Sequence, residues 1–231
     1  MYIVTGVSGG IGEAIVRKYL EKGERVIGIG RRCSIQHPLF RFVKCDLSDS
    51  AEIKALNFAP VTGNVTLINN AGILGNIGRL SDLPESDISE VLQINVTAAV
   101  ILTQKVYASM MDPDRFTLVN ISSGAALRPI PSWLAYCTSK AALNMFSETF
   151  YAEEQEKGRN IRVYAVAPGV VDTRMQDQIR EAPESSFSNV QRFRDLKSND
   201  ELFSPQEVAD RLDALLAIPF DGQVVTDLRS R

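Results

Sequence analysis

Tyr136 and Lys140 stand four residues apart in the run Tyr-Cys-Thr-Ser-Lys, with Ser123 upstream. On a helix, positions i and i+4 share one face, so a phenol and an ammonium at this spacing can open into the same cleft. A phenol with a pKa of about 10 is a sluggish proton relay near neutrality. A neighbouring ammonium favours the phenolate, and a lowering by about three units would correspond to roughly 4 kcal/mol. Tyr136 could then give a proton to a carbonyl oxygen or take one from an alcohol. Ser123 would hydrogen-bond the same oxygen and fix its direction. Ser122 is the adjacent hydroxyl, and alternation along a strand keeps the two from reaching one site equally.

A second constellation opens the chain. Thr5-Gly6-Val7-Ser8-Gly9-Gly10-Ile11-Gly12 follows a short apolar run and leads into an amphipathic one. Glycines between a strand and a helix permit a tight turn and let a pyrophosphate approach the backbone at the positive end of the helix dipole. In such a fold the end of the second strand meets the adenosine ribose, where an acid suits a 2′-hydroxyl and arginine a 2′-phosphate. Here that position reads Ile29-Gly30-Arg31-Arg32, with no carboxylate, which favours NADP over NAD. Asp46 could bond the adenine amino group or cap a helix. Asn69-Asn70-Ala71-Gly72 supplies small residues where cofactor and backbone must pass closely, and an asparagine able to bridge strands.

The elements that must position these groups alternate in kind. Strands are expected at 2–5, 25–30, 40–45, 65–69, 115–121 and 161–166, with 223–226 able to add a seventh. Helices are expected at 11–20, from the turn at 80–84 to about 110, at 132–157, and from Pro205 to before Pro219. Strands alternating with helices predict an α/β fold, a Rossmann-type doubly wound parallel sheet of about seven strands with helices on both faces, in one domain spanning 1–231. Residues 173–203 are polar with short helical pieces, and too long for an ordinary connection. Val190, Phe193, Leu196 and Phe203 give that stretch apolar groups to bury, as a substrate lid would need.

Composition narrows the function classes. A net charge of -3 offers neither a basic surplus for nucleic acid nor an acidic tail. The apolar stretch around 96–102 is interrupted by Thr or Lys too soon to predict a bilayer span, and Met1 leads straight into Tyr2-Ile3-Val4 without a charged leader. Three cysteines at unrelated spacings argue against a disulfide framework, and a single histidine argues against a metal site. Cytoplasm is the expected compartment.

Taken in order, TGVSGGIG at 5–12, CDL at 45–47, NNAG at 69–72, Asn95, Ser123, YCTSK at 136–140 and PGVVDT at 168–173 resemble the short-chain dehydrogenase/reductase family over nearly the whole chain. The resemblance implies a catalytic tetrad of Asn95, Ser123, Tyr136 and Lys140, and it selects Ser123 over Ser122. It implies that Lys140 bonds the nicotinamide ribose and that Asn95 holds a water linking Lys140 to solvent. Cofactor contacts would come from Gly6, Ser8, Gly10, Ile11 and Gly12, from Arg31 and Arg32, and from Asp46 and Leu47. Asn70, Ala71 and Gly72 would add to them, as would Tyr136 and Lys140 themselves. Pro168, Gly169, Val171 and Thr173 would cover the nicotinamide.

Within the family, Asn-Ile-Ser-Ser, the run from Pro131 to Ala142 and Ala-Pro-Gly-Val-Val-Asp-Thr-Arg-Met-Gln are most similar to the sepiapterin and benzil reductase branch. That similarity implies NADPH-dependent reduction of a small-molecule ketone or vicinal diketone, with Trp133 and Met175 as flat apolar walls. Sepiapterin reductases anchor a pterin amine with a carboxylate in the last strand. That place falls at Thr226, with Asp227 one residue on and expected to face away, so diketone reduction ranks above pterin reduction. A 3-oxoacyl or hydroxysteroid oxidoreductase is a second reading, and a non-catalytic NADP-sensing regulator a third. The family resemblance also implies a homodimer, or a tetramer, through the two long helices.

Overall fold

The structure, a computed structural model, describes residues 1–230. Seven parallel strands lie in the order β3-β2-β1-β4-β5-β6-β7. They are β1 (Tyr2–Thr5), β2 (Val26–Gly30), β3 (Phe40–Lys44), β4 (Val65–Asn69), β5 (Phe116–Ile121), β6 (Arg162–Ala167) and β7 (Val225–Asp227). The order reverses between β1 and β4, and the crevice beyond the carboxyl ends of these strands is where such a sheet takes a ligand. This is the doubly wound Rossmann-type architecture expected from the alternation of elements.

Each face of the sheet carries its own core, because successive residues of a strand point to opposite sides. Val4 faces one layer, in which α1 (Gly10–Glu21) and α8 (Pro205–Ala217) pack through Ile15, Val16, Tyr19, Val208 and Leu212. Ile3 faces the other, where α2 (Ser50–Ala55) contributes Ile53 and α4 (Ala98–Ala108) contributes Ala98, Leu102 and Val106. Each fully buried aliphatic chain of this kind is worth about 1.5–3 kcal/mol, so both layers hold the strand ends firmly. The long helix α5 (Leu134–Glu156) lies on the second side. A buried chain of amides ties it down: Asn69 Nδ2 donates to Asn120 Oδ1 at 2.9 Å, and Asn120 Nδ2 donates to Ser147 Oγ at 2.8 Å.

Some expectations hold and others are corrected. The long helix expected from the turn at 80–84 to about 110 is present as Glu85–Ala108, running through α3 (Glu85–Leu92), a π-helical turn at Gln93–Thr97, and α4. By length and apolarity alone, Glu85–Ala108 could cross a bilayer, at a mean hydropathy of 1.2, contrary to the reading from its interrupting residues. Its inward side, Val91, Ala98, Leu102 and Val106, is nevertheless fully buried, the last three in the core of the sheet layer. Asp49, not Asp46, caps the short helix α2, accepting from the Ala51 and Glu52 amides. The polar stretch 173–203 holds two helices, α6 (Arg174–Glu181) and α7 (Val190–Ser198). Ile179, Phe187, Val190 and Phe193 from it form a third apolar cluster around Trp133.

Candidate active site

A cleft of about 720 Å³ runs along the carboxyl ends of the strands. Its far end is the glycine loop. Gly6 and Gly10 have φ of 72° and 56°, left-handed values that glycine alone adopts freely. A side chain at Gly6 would stand 2.8 Å from the Ala71 Cα, so NNAG and the glycine loop are packed backbone to backbone. Asn70 locks them, donating from Nδ2 to the Thr5 carbonyl at 2.9 Å. The helix α1 has no side-chain cap, which leaves the amides of its first turn to an anion in the cleft. Arg31 and Arg32 are exposed at the end of β2 and line the same cleft, with no hydrogen bond or ion pair among the described residues. Asp46 and Leu47 border it; the Asp46 carboxyl is held below its usual range by hydrogen bonds from the Ser48 amide and hydroxyl.

At the near end, Tyr136 and Lys140 rise from the first turns of α5. Both are almost fully enclosed, yet both border the cleft, with Lys140 Nζ 5.6 Å from the centre of the Tyr136 ring. Lys140 donates to the Ile121 carbonyl at 2.7 Å. Ser123, at the turn after β5, also borders the cleft; its oxygen accepts from the Ala125 amide at 3.1 Å, so its own proton is left to give. Ser122 is buried and donates to Asn144 Oδ1. Asn95 sits in the π-helical turn, where its Oδ1 accepts from the Ile73 amide and its Nδ2 donates to the Ile73 carbonyl and to Ser139 Oγ. A side chain on Gly72 would come within 3.3 Å of Asn95 Oδ1 and 3.4 Å of Lys140 Nζ, so that glycine keeps open the gap between them.

The electrostatics differ from the sequence expectation in one respect. Burial pushes the Tyr136 phenol up to about 12, with the Ser123 hydroxyl opposing, rather than down under the influence of Lys140. The same burial pushes Lys140 down to about 8. Desolvation disfavours the charged form of both groups, and it is the leading cause of each shift.

The expected cofactor and substrate residues converge with two exceptions. Gly12 lies beneath the loop against the Gly6 carbonyl, and Asn95 acts behind Gly72; neither borders the cleft. Ser8, Ile11, Pro168, Gly169, Val171, Thr173, Trp133 and Met175 all do. Thr173 comes up against Gly10, closing the segment over the glycine loop. Trp133 packs edge-on to Tyr136 at 5.8 Å and against Phe187 and Phe193 at 5.3 and 5.4 Å. Sequence reasoning missed Gln176, whose buried Oε1 has no partner, along with Arg128 and Arg192 at the rim. The register of β7 is a correction: Asp227, paired with Ala167, borders this cleft, whereas Thr226 is buried beside it. The Arg229 guanidinium holds both Asp227 oxygens and keeps the carboxyl below its usual range.

The sequence profile of the short chain dehydrogenases matches residues 1–184. The chain belongs to the short-chain dehydrogenase/reductase family. A benzil reductase ((S)-benzoin forming) of Bacillus subtilis is 36% identical over 241 residues, covering 99% of this chain and 98% of that protein. Sepiapterin reductase of Bos taurus is 36% identical over 159 residues, 66% of this chain and 57% of that protein. Among solved structures, a short-chain dehydrogenase/reductase of Saccharomyces cerevisiae superposes with a TM-score of 0.81 at 31% identity, covering 97% of this chain and 94% of that one. As a member of the short-chain dehydrogenases/reductases, this chain is an oxidoreductase of alcohol and carbonyl groups, in a family that uses NAD(H) or NADP(H). The uncapped helix, the left-handed glycines and the two unpaired arginines fit such a dinucleotide.

Proposed function

We propose that this short-chain dehydrogenase/reductase is an NADPH-dependent carbonyl reductase acting on a ketone or a vicinal diketone of benzil type, with Tyr136 as proton donor. One observation carries the reading: a buried phenol, held protonated by its surroundings, shares a cleft with an uncapped glycine loop. Bound NADPH would supply the hydride. Tyr136 then holds the proton that the new alkoxide needs, and a phenol raised to about 12 keeps it until charge develops on the substrate oxygen. Ser123 donates to that oxygen with the hydrogen its bond to Ala125 leaves free. Lys140, anchored on the Ile121 carbonyl, has further protons for the ribose hydroxyls and, with a pKa near 8, can resupply Tyr136. Asn95 fixes the backbone at Ile73, and the water that the family places on it would extend this relay to solvent.

Arg31 and Arg32 support NADPH over NADH, because a 2′-phosphate would otherwise stand beside no opposing charge. Trp133, Met175, Ile179 and Phe193 offer flat apolar walls for an aromatic dicarbonyl, and the helices α6 and α7 that carry three of them would act as the substrate lid. A pterin has weaker support, since Asp227 is already engaged by Arg229. Exposed Leu134 and Met145 on α5 support a second copy of the chain packing there as a homodimer. The deciding experiment is Tyr136→Phe, which should abolish NADPH-dependent reduction of benzil while NADPH still binds. Turnover preserved in that variant would remove the phenol from the reaction.

A further inference from the structure

Six arginines border the active-site cleft (31, 32, 128, 174, 192 and 229) against three carboxylates, Glu13, Asp46 and Asp227, in a chain whose net charge is -3. Every one of those carboxylates is occupied. Glu13 pairs with Arg17, Asp46 accepts from Ser48, and Asp227 takes the fork of Arg229. The cleft therefore keeps a surplus of positive charge inside an acidic protein. Part of it falls to the proposed dinucleotide: Arg31 and Arg32 follow β2, and Arg174 opens α6 beside the contact between Thr173 and Gly10.

Arg128 and Arg192 stand at the other end. Arg128 follows the turn that presents Ser123, and its Nη2 lies 3.6 Å from the position a side chain would take at Gly124. Arg192 precedes Phe193, whose ring packs on Trp133, and Trp133 in turn stands edge-on to Tyr136. Both arginines thus border the cleft that holds the phenol, one from the turn after β5 and one from α7. Neither makes a hydrogen bond or an ion pair among the described residues; Arg128 feels the charge of Asp227, which Arg229 already holds. The same cleft has apolar walls in Ile130, Trp133, Ile179 and Phe193. An unpaired arginine on an outer face is simply solvated, and this pair differs in bordering one apolar slot beside a proton donor.

We propose that the preferred substrate is anionic: a flat carbonyl compound bearing a carboxylate, or an anion of like geometry, which Arg128 and Arg192 take while the carbonyl meets Tyr136. Guanidinium and carboxylate match as planar forks, so the pair would orient the molecule as well as attract it. The inference deepens the reductase reading and rests on it.

The test compares phenylpropanedione with its ring para-carboxylate, each reduced with NADPH by the wild-type protein and by Arg128→Gln and Arg192→Gln. The wild type should prefer the carboxylate in kcat/KM, and each substitution should reduce that preference about 10-fold or more, chiefly through KM. Added salt should erode the preference in the same direction. The neutral diketone reports in every variant whether the fold and the chemistry are intact. Equal kcat/KM for the two compounds in the wild type, or a preference untouched by both substitutions, would overturn the anion handle and leave the reductase standing. Turnover of neither compound would overturn the reductase reading beneath it.

Discussion

Replacing Lys140 with methionine should stabilise the protein near neutral pH while removing its activity. The ammonium is buried and makes one hydrogen bond, to the Ile121 carbonyl, and its pKa is pushed from 10.5 down to about 8. The unfolded chain therefore binds more protons than the folded one between those two values, and stability rises with pH across that window. Near pH 7 the folded protein bears the whole cost, roughly 3 kcal/mol. Methionine removes it but leaves the Ile121 carbonyl without a donor, at about 1 kcal/mol. The net gain is about 2 kcal/mol, or a rise in Tm of about 4–8 °C for a chain of this size. Near pH 9.5 the wild-type cost falls by about half and the advantage nearly vanishes. Tyr136 does not blur this window, because a phenol raised to about 12 contributes stability that is lost only above its unfolded pKa of about 10. Urea denaturation of the cofactor-free protein at the two pH values reads the difference directly. A variant less stable than wild type near neutrality, or a gain that ignores pH, would refute the reasoning.

The other predictions are simpler. Gly12→Ala drives a methyl group against the Gly6 carbonyl and Asn70 Nδ2, so the loop must shift; calorimetry should show a loss of about 1–3 kcal/mol, and titration with NADPH a loss of binding. Arg31→Ala should raise KM for NADPH about 10-fold or more with little effect on NADH, and equal effects on both would show that the 2′-phosphate is not read there. Ser123→Ala should lower kcat about 100-fold or more, while the lost bond from the Ala125 amide costs only about 1 kcal/mol of stability. Ser122→Ala should show the reverse, costing about 1 kcal/mol through the lost bond to Asn144 with turnover retained.

What the sequence revealed was local. The glycine loop, the asparagines after β4 and the Tyr136–Lys140 spacing each depend on a handful of contiguous residues, and each lies where its own pattern put it. What stayed hidden depends on neighbours far away in the chain. An extra residue wound into Gln93–Thr97 leaves the apolar pattern of 85–108 unmarked, so the helix is legible and its π-helical turn is not. The helix α2 is six residues long, too short for a period to show. Ile179, Phe187 and Phe193 gain meaning only when Trp133 arrives from α5 to meet them. In a strand of three residues nothing in the pattern fixes the register, and Asp227 turned toward the cleft. The depth of burial that governs Tyr136 is equally a property of the assembled layers.

The packing of α1 against α8 has a consequence for biosynthesis. Lys18 and Lys22 reach Asp210 and Asp213 across nearly the full length of the chain, and the apolar side of α1 is covered by Val208, Leu212 and Leu215. On the ribosome, α1 must wait with that side bare until α8 has been translated. Its partner strand β4 is also made some sixty residues after β1. The nascent chain is therefore open to association and proteolysis along that side until α8 is made, and a ribosome stalled ahead of Pro205 would display α1 without its partner.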